Sequence, residues 1–97
     1  MKNFLLELIS EATKQNPITR RELVNLTHIK DRQVRDLIGE LRGEGNRIVS
    51  TSKGYYIAEN EDDYKAFRAV YIAKARCIFD RVSAMDAYTG GQESMRV

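Results

Sequence analysis

Thr19-Arg20-Arg21-Glu22-Leu23-Val24-Asn25-Leu26-Thr27-His28, followed by Ile29-Lys30-Asp31-Arg32-Gln33-Val34-Arg35-Asp36-Leu37-Ile38-Gly39-Glu40-Leu41, is the stretch that decides the fold. Thr19 to Glu22 has the form of a capping box: the threonine hydroxyl can accept the backbone N–H of Glu22, and the glutamate carboxylate that of Thr19. A helix therefore starts here. Ile18 and Leu23 stand where a hydrophobic staple would set the direction of the incoming chain, and Pro17 discourages a preceding helix from running on. Leu23, Leu26 and Val24 are its expected buried side, and the helix gives out near Thr27-His28.

After a short turn, Val34, Leu37, Ile38 and Leu41 recur at offsets of three, four and seven, the period of a helix with one apolar stripe. At about 100° per residue, Arg32, Asp36 and Gly39 fall opposite that stripe, with Gln33 and Arg35 on its shoulders. Gly43 and Gly45 supply the left-handed conformation that ends a helix. Arg47-Ile48-Val49-Ser50 and Tyr55-Tyr56-Ile57 are β-favouring runs around Thr51-Ser52-Lys53-Gly54, hence a hairpin with a small, polar, basic tip. Two helices joined by a short turn, the second exposing Arg and Gln near its start, is how a helix-turn-helix presents itself to a major groove.

From Ile18 to Ala58 the sequence resembles the winged helix-turn-helix domain of the biotin-operon-repressor type. The matching residues are Arg21-Glu22-Leu23, then Val34, Ile38 and Leu41, then Gly45, and Asn46-Arg47-Ile48-Val49-Ser50 leading to Lys53-Gly54-Tyr55. One position departs: the residue before the second helix, often Ser in such domains, is Lys30, and Asp31 is the alternative cap. The resemblance implies an α+β, mainly α fold of three helices and a β-hairpin wing, here with a long C-terminal helix added. It also implies double-stranded DNA as partner, the third helix of the domain in the major groove and the wing on the backbone or adjacent minor groove. Carried onto this chain, Arg32 and Gln33 are base-edge readers, since Arg can be bidentate to guanine and Gln to adenine. Asp36, one turn past Arg32, would orient its guanidinium or accept from cytosine. Lys30, Arg35, Lys53 and the hydroxyls of Thr51 and Ser52 are phosphate contacts. The segment Ala73 to Met85 is similar to the tails of small winged-helix proteins of bacteriophages and prophages, which adds a phage role in replication or recombination to the alternative of transcription regulation.

Ninety-seven residues suit one modest core, and 42% hydrophobic with 31% charged residues is the composition of a soluble globular domain. No apolar run approaches the length of about 18 needed to span a bilayer. The start, Met1 to Leu6, reaches Glu7 without the apolar core of a signal peptide, and the single cysteine, Cys77, fits a reducing compartment; the expected location is cytoplasmic, with the nucleoid. Net charge is only +2, but residues 1–58 hold ten Lys and Arg against seven Asp and Glu, and residues 59–97 six against seven. The positive surplus lies in the half expected to bind DNA, and it is small enough that dimerisation would help.

A first helix is expected over about Lys2 to Lys14, with Phe4, Leu5, Leu8, Ile9 and Ala12 inward. Residues 1–58 would form the DNA-binding domain, 59–88 a long helix for dimerisation, and 89–97 a disordered tail. Asn60-Glu61-Asp62-Asp63 lacks calcium-loop spacing and is an N-cap followed by carboxylates at the positive end of a helix. The following helix, free of Pro and Gly to about Tyr88, is apolar on more than one side: Tyr64, Phe67, Tyr71, Ala75, Ile78, Val82 and Met85 form one stripe, with Val70, Ile72, Cys77 and Phe79 off it. Part should pack on its own domain and part on a second copy, with Phe67, Tyr71, Ile78, Phe79, Val82 and Met85 as dimer contacts. A regular two-stranded coiled coil is disfavoured, because placing Tyr64, Tyr71, Ile78 and Met85 at one core position puts Lys74 and Arg81 at the other. Cys77 is expected to be buried in packing.

Catalytic machinery is not expected. The only histidine, His28, falls in the turn, and neither a phosphate loop nor a paired Cys/His set is present. No metal, cofactor, membrane or small-molecule ligand is called for. The other class open to the sequence is a winged helix that assembles a protein complex without binding DNA, which the low net charge favours.

Overall fold

The computed structural model describes residues 1–88 and is α+β, mainly helical. Its elements are α1 (Lys2–Ser10), α2 (Arg20–Thr27), α3 (Asp31–Gly43), an antiparallel hairpin of β1 (Ile48–Thr51) and β2 (Gly54–Ile57), and α4 (Glu61–Ala87). The expected tail, 89–97, lies outside the described residues. The chain forms two compact units, Met1–Phe67 and the part from Arg68 onward. The first unit thus takes in the opening turns of α4, where the sequence suggested a boundary at 58.

α1 stops at Ser10, short of the expected Lys14. Its last turn is closed by the Glu11 N–H on Glu7 O, and the chain then enters a turn with two backbone hydrogen bonds between Thr13 and Asn16 (3.2 and 3.1 Å). The Thr13 hydroxyl also accepts the Asn16 N–H at 3.0 Å, the local competition with helix that Thr and Asn offer. Leu5 and Ile9 are buried; Phe4, expected inward, is exposed.

The capping box of α2 is present in both halves: Glu22 N–H to Thr19 Oγ1 at 3.0 Å and Thr19 N–H to Glu22 Oε1 at 2.9 Å. Leu23 is buried and Val24 half-buried, but Leu26 is 51% exposed and Thr27 takes the inward place. Around the axis, Leu23, Thr27 and Val24 lie at about 0°, 40° and 100°, and Leu26 at about 300°, on the far flank. The Thr27 hydroxyl donates to Leu23 O at 2.6 Å, so burying it leaves no unmet polar group. His28 ends the helix in the left-handed conformation, φ 60°, with its N–H on Val24 O.

α3 begins after Lys30, whose side chain has no acceptor; Asp31 is the first helical residue and does not cap. The cap comes from Gln33, whose Oε1 accepts the Lys30 N–H at 3.3 Å. Val34, Ile38 and Leu41 are buried and Leu37 is half-buried. At the far end the Gly45 N–H bonds Arg42 O and the Asn46 N–H bonds Leu41 O, with Gly45 at φ 102°. This is a Schellman closure, and it needs glycine at Gly45. Gly43 is the last helical residue and carries no positive φ.

Leu5, Ile9, Leu23, Val34, Ile38, Leu41 and Ile48 form the core of the first unit, each fully buried aliphatic side chain contributing about 1.5–3 kcal/mol. Hairpin register pairs Ile48 with Ile57, Val49 with Tyr56, Ser50 with Tyr55 and Thr51 with Gly54, leaving Ser52-Lys53 at the tip. Tyr55 and Ile57 lean on the core. Val49 and Tyr56, on the opposite face of the hairpin, are buried as well.

That second face meets the start of α4. The Tyr56 hydroxyl donates to Asp63 Oδ1 at 2.9 Å, the Glu59 N–H reaches Asp63 Oδ2 at 3.2 Å, and Lys14 Nζ lies 3.5 Å from Oδ1. Asn60 Oδ1 accepts the Asp63 N–H at 2.8 Å, the expected N-cap. Arg47 stands 4.0 Å over the Tyr64 ring and pairs with Glu61 at 2.8 Å, while Arg42 stands 5.2 Å over Phe67. Burial, then the neighbouring Asp63 carboxylate, pushes the Tyr56 phenol up to about 12.

In the second unit α4 continues to Ala87 with none of its residues buried. Val70, Tyr71, Ile78, Phe79, Val82, Met85 and Tyr88 are exposed, Phe79 by 71%. Cys77 is exposed too, contrary to the expected burial, because no other described element of the unit covers that turn of the helix.

Candidate functional site

The residues expected to meet DNA lie on two elements of the first unit. Lys30, just before α3, and Arg32, Gln33, Arg35 and Asp36 in its N-terminal half are all exposed, and Thr51, Ser52 and Lys53 are exposed at the hairpin tip. The tip is self-organised. Thr51 Oγ1 accepts the Lys53 N–H at 3.1 Å and donates to Gly54 O at 3.3 Å, which fixes the loop but leaves the lysine head outward.

Ile18 positions this tip. Its N–H and C=O bond the C=O and N–H of Tyr55 at 3.0 and 2.7 Å, so the residue preceding the α2 cap acts as a one-residue third strand. Gly54 makes the approach possible. Its φ is 143°, and a Cβ there would stand 2.5 Å from Ile18 O. The bridge brings Arg20, at the start of α2, beside Thr51, Ser52 and Lys53 across an open depression of about 320 Å³.

Arg20 also faces α3. Its Nε lies 2.5 Å from Asp31 Oδ1, while Arg35 Nε lies 3.6 Å from Asp31 Oδ2. A hydrogen bond with the Tyr55 side chain, and then the Asp31 carboxylate, holds the Arg20 guanidinium above its ordinary range. Asp31 therefore divides one negative charge between two arginines. Among the described residues, Lys30, Arg32, Lys53 and Asp36 take part in no ion pair. The orienting contact expected between Asp36 and Arg32 is thus not made in the free chain. The Gln33 Oε1 accepts the Lys30 N–H at the start of α3, one of the two hydrogen bonds an amide oxygen can take.

Arg20 is the site residue that the sequence pattern did not single out. Its position next to Thr19 marks it as a helix start, but its place between the hairpin tip and α3 depends on the Ile18–Tyr55 bridge, which no local pattern announces. Of the expected dimer contacts, Phe67 is half-buried with Arg42 over its ring in the first unit, whereas Tyr71, Ile78, Phe79, Val82 and Met85 are exposed in the second.

Among the described residues, no three or more His, Cys, Asp or Glu side chains are grouped to hold a metal ion. No described helix is long and apolar enough to cross a membrane. The chain matches no known protein family, no curated protein and no solved structure at a significant level.

Proposed function

We propose that this chain is a sequence-specific double-stranded DNA-binding protein of the winged helix-turn-helix type, acting as a homodimer. In this reading α3 enters the major groove with Arg32 as the principal base reader, and the tip at Lys53 lies on the phosphate backbone. The observation that supports it is the surface running from α3 through Arg20 to the hairpin tip, where Lys30, Arg32, Arg35, Arg20 and Lys53 outnumber Asp31 and Asp36. Such a surface attracts phosphate by charge and carries two side-chain types able to read base edges. The role is binding without catalysis, as a transcription regulator or as an accessory to replication or recombination in a phage or prophage, at the nucleoid of the cytoplasm.

A second reading is a winged-helix module that assembles proteins without touching DNA. The observation favouring it is Asp31, which offsets charge on two of the five cations. Fluorescence anisotropy on random-sequence duplex DNA at about 50 and 200 mM salt separates the two, since several phosphate contacts cost orders of magnitude in affinity over that range. Steep loss with salt supports DNA binding and opens the search for the specific site. Absence of binding at the lower salt overturns it in favour of protein assembly.

A further inference from the structure

The exposed part of α4 raises the question of what covers it. From Arg68 to Ala87 the helix is unbroken and has no buried residue, yet Ile78, Phe79, Val82 and Met85 are exposed. The register that places Lys74 and Arg81 in the seam is one of the two heptad phases that put Tyr71, Ile78 and Met85 at a core position. In the other phase Tyr71, Ile78 and Met85 occupy the d positions, and the a positions between them are Ala75 and Val82. The seam Tyr71, Ala75, Ile78, Val82, Met85 then follows the four-three spacing of a coiled coil without one charged residue. It opens just past Arg68, which holds the preceding a position. One heptad before Tyr71, Tyr64 is half-buried under Arg47.

The flanking positions choose the partner and its direction. In this phase Lys74 and Arg81 are g residues, and Phe79 and Asp86 are e residues. In a parallel pair each g residue faces the e residue five positions further along the other helix. Arg81 then meets Asp86 of the partner subunit, and Lys74 lays its stem and ammonium over Phe79 of the partner subunit. In an antiparallel pair g faces g, so Lys74 and Arg81 of one chain would oppose the same cations of the other. Val82 at an a position suits two strands.

We infer that Tyr71 to Met85 is the seam of a parallel, in-register, two-stranded coiled coil with a second copy of this chain. It rests on the homodimer in the reading above and specifies how the two copies are held. Phe79, the most exposed large apolar residue of α4, becomes covered, and Cys77 takes a c position on the outside of the pair.

Sedimentation equilibrium of the full chain under reducing conditions tests it. The wild type is expected to be a reversible dimer at micromolar concentration and Ile78→Asp a monomer, with the helical circular dichroism of the Met1–Phe67 unit retained. Arg81→Glu is expected to weaken the dimer about three- to tenfold, and Arg81→Glu with Asp86→Lys to restore it. In a Cys77→Ser background, Val82→Cys is expected to cross-link on air oxidation and Ser83→Cys not to. A tighter dimer with Arg81→Glu, where the new carboxylate would face Lys74 of an antiparallel partner, overturns the parallel arrangement and leaves the homodimer standing. A trimer or larger particle overturns the two-stranded seam, and a wild-type monomer overturns both seam and homodimer. None of these results bears on DNA binding by one copy, which the salt titration measures separately.

Discussion

Arg20 at the start of α2 and Asp31 at the start of α3 meet with 2.5 Å between Nε and Oδ1, and through Asp31 the arginine is linked to Arg35. Both partners are about half exposed, so the pair adds little to stability. Its consequence is electrostatic: one carboxylate restrains two guanidiniums on the surface proposed to meet phosphate.

Asp31→Asn keeps the shape and removes that restraint. Affinity for random-sequence duplex DNA is expected to rise, and the dependence of log K on log salt to steepen by about 0.9 for each guanidinium released to a phosphate. Anisotropy across a salt series measures both. Unchanged affinity and slope would show that Arg20 and Arg35 do not face the backbone.

Arg32 and Lys53, neither held in an ion pair among the described residues, test the proposed separation of base reading from backbone contact. On a selected site, Arg32→Ala is expected to cost about 1–3 kcal/mol and to relax preference at one base pair, whereas Lys53→Ala weakens all sequences alike and lowers the salt slope by about one. Equal losses on selected and random DNA for both variants would refute the division.

Two glycines give opposite expectations. At Gly54 a methyl group would collide with Ile18 O in a backbone region closed to other residues, so Gly54→Ala is expected to lose about 1–3 kcal/mol in urea unfolding. At Gly39, exposed on α3 with nothing within 4 Å of a Cβ, alanine is expected to add about 1 kcal/mol. If the same face lies against DNA, Gly39→Ala also binds more weakly. A variant that is more stable and binds with wild-type affinity would move the contact surface away from Gly39.

Tyr56 and Asp63 are expected to make the stability of the first unit fall at both ends of the pH range. Because the Tyr56 phenol rises from 10.0 to about 12 on folding, the unfolded chain loses that proton first; its contribution is full below pH 10 and disappears as pH climbs towards about 12. At Asp63 burial works against the charged form, but the Glu59 N–H, the Tyr56 hydroxyl and Lys14 outweigh it, so the carboxyl falls below 3.8. Its contribution is present above that value and lost as pH drops through the lower folded one. Urea midpoints against pH should show both limbs, and Tyr56→Phe should flatten the alkaline one while costing about 1–3 kcal/mol at neutral pH. An alkaline limb unchanged in Tyr56→Phe would assign it to another group.

The features legible in the sequence are those whose physics spans three to five residues. The Thr19–Glu22 box, the Asn60 cap, the stripe of Val34, Ile38 and Leu41, the Gly45 closure and the Ser52-Lys53 tip each depend on hydrogen bonds or periodicity within one element or one turn, so residue order alone determines them. The candidate site was legible to the same extent: the exposed face of α3 and the basic tip follow from where the apolar stripe and the turn lie.

What only the tertiary structure decided are the meetings of distant segments. Burial of Thr27 in place of Leu26 depends on where α1 and α3 press on α2. Arg20 joins the site because Ile18 pairs with Tyr55, and Asp63 becomes a half-buried acceptor because Tyr56 and Lys14 converge on it. Chain order records such contacts only through the folded path, since each partner is chemically ordinary where it stands and acquires its role from the neighbour that folding brings to it.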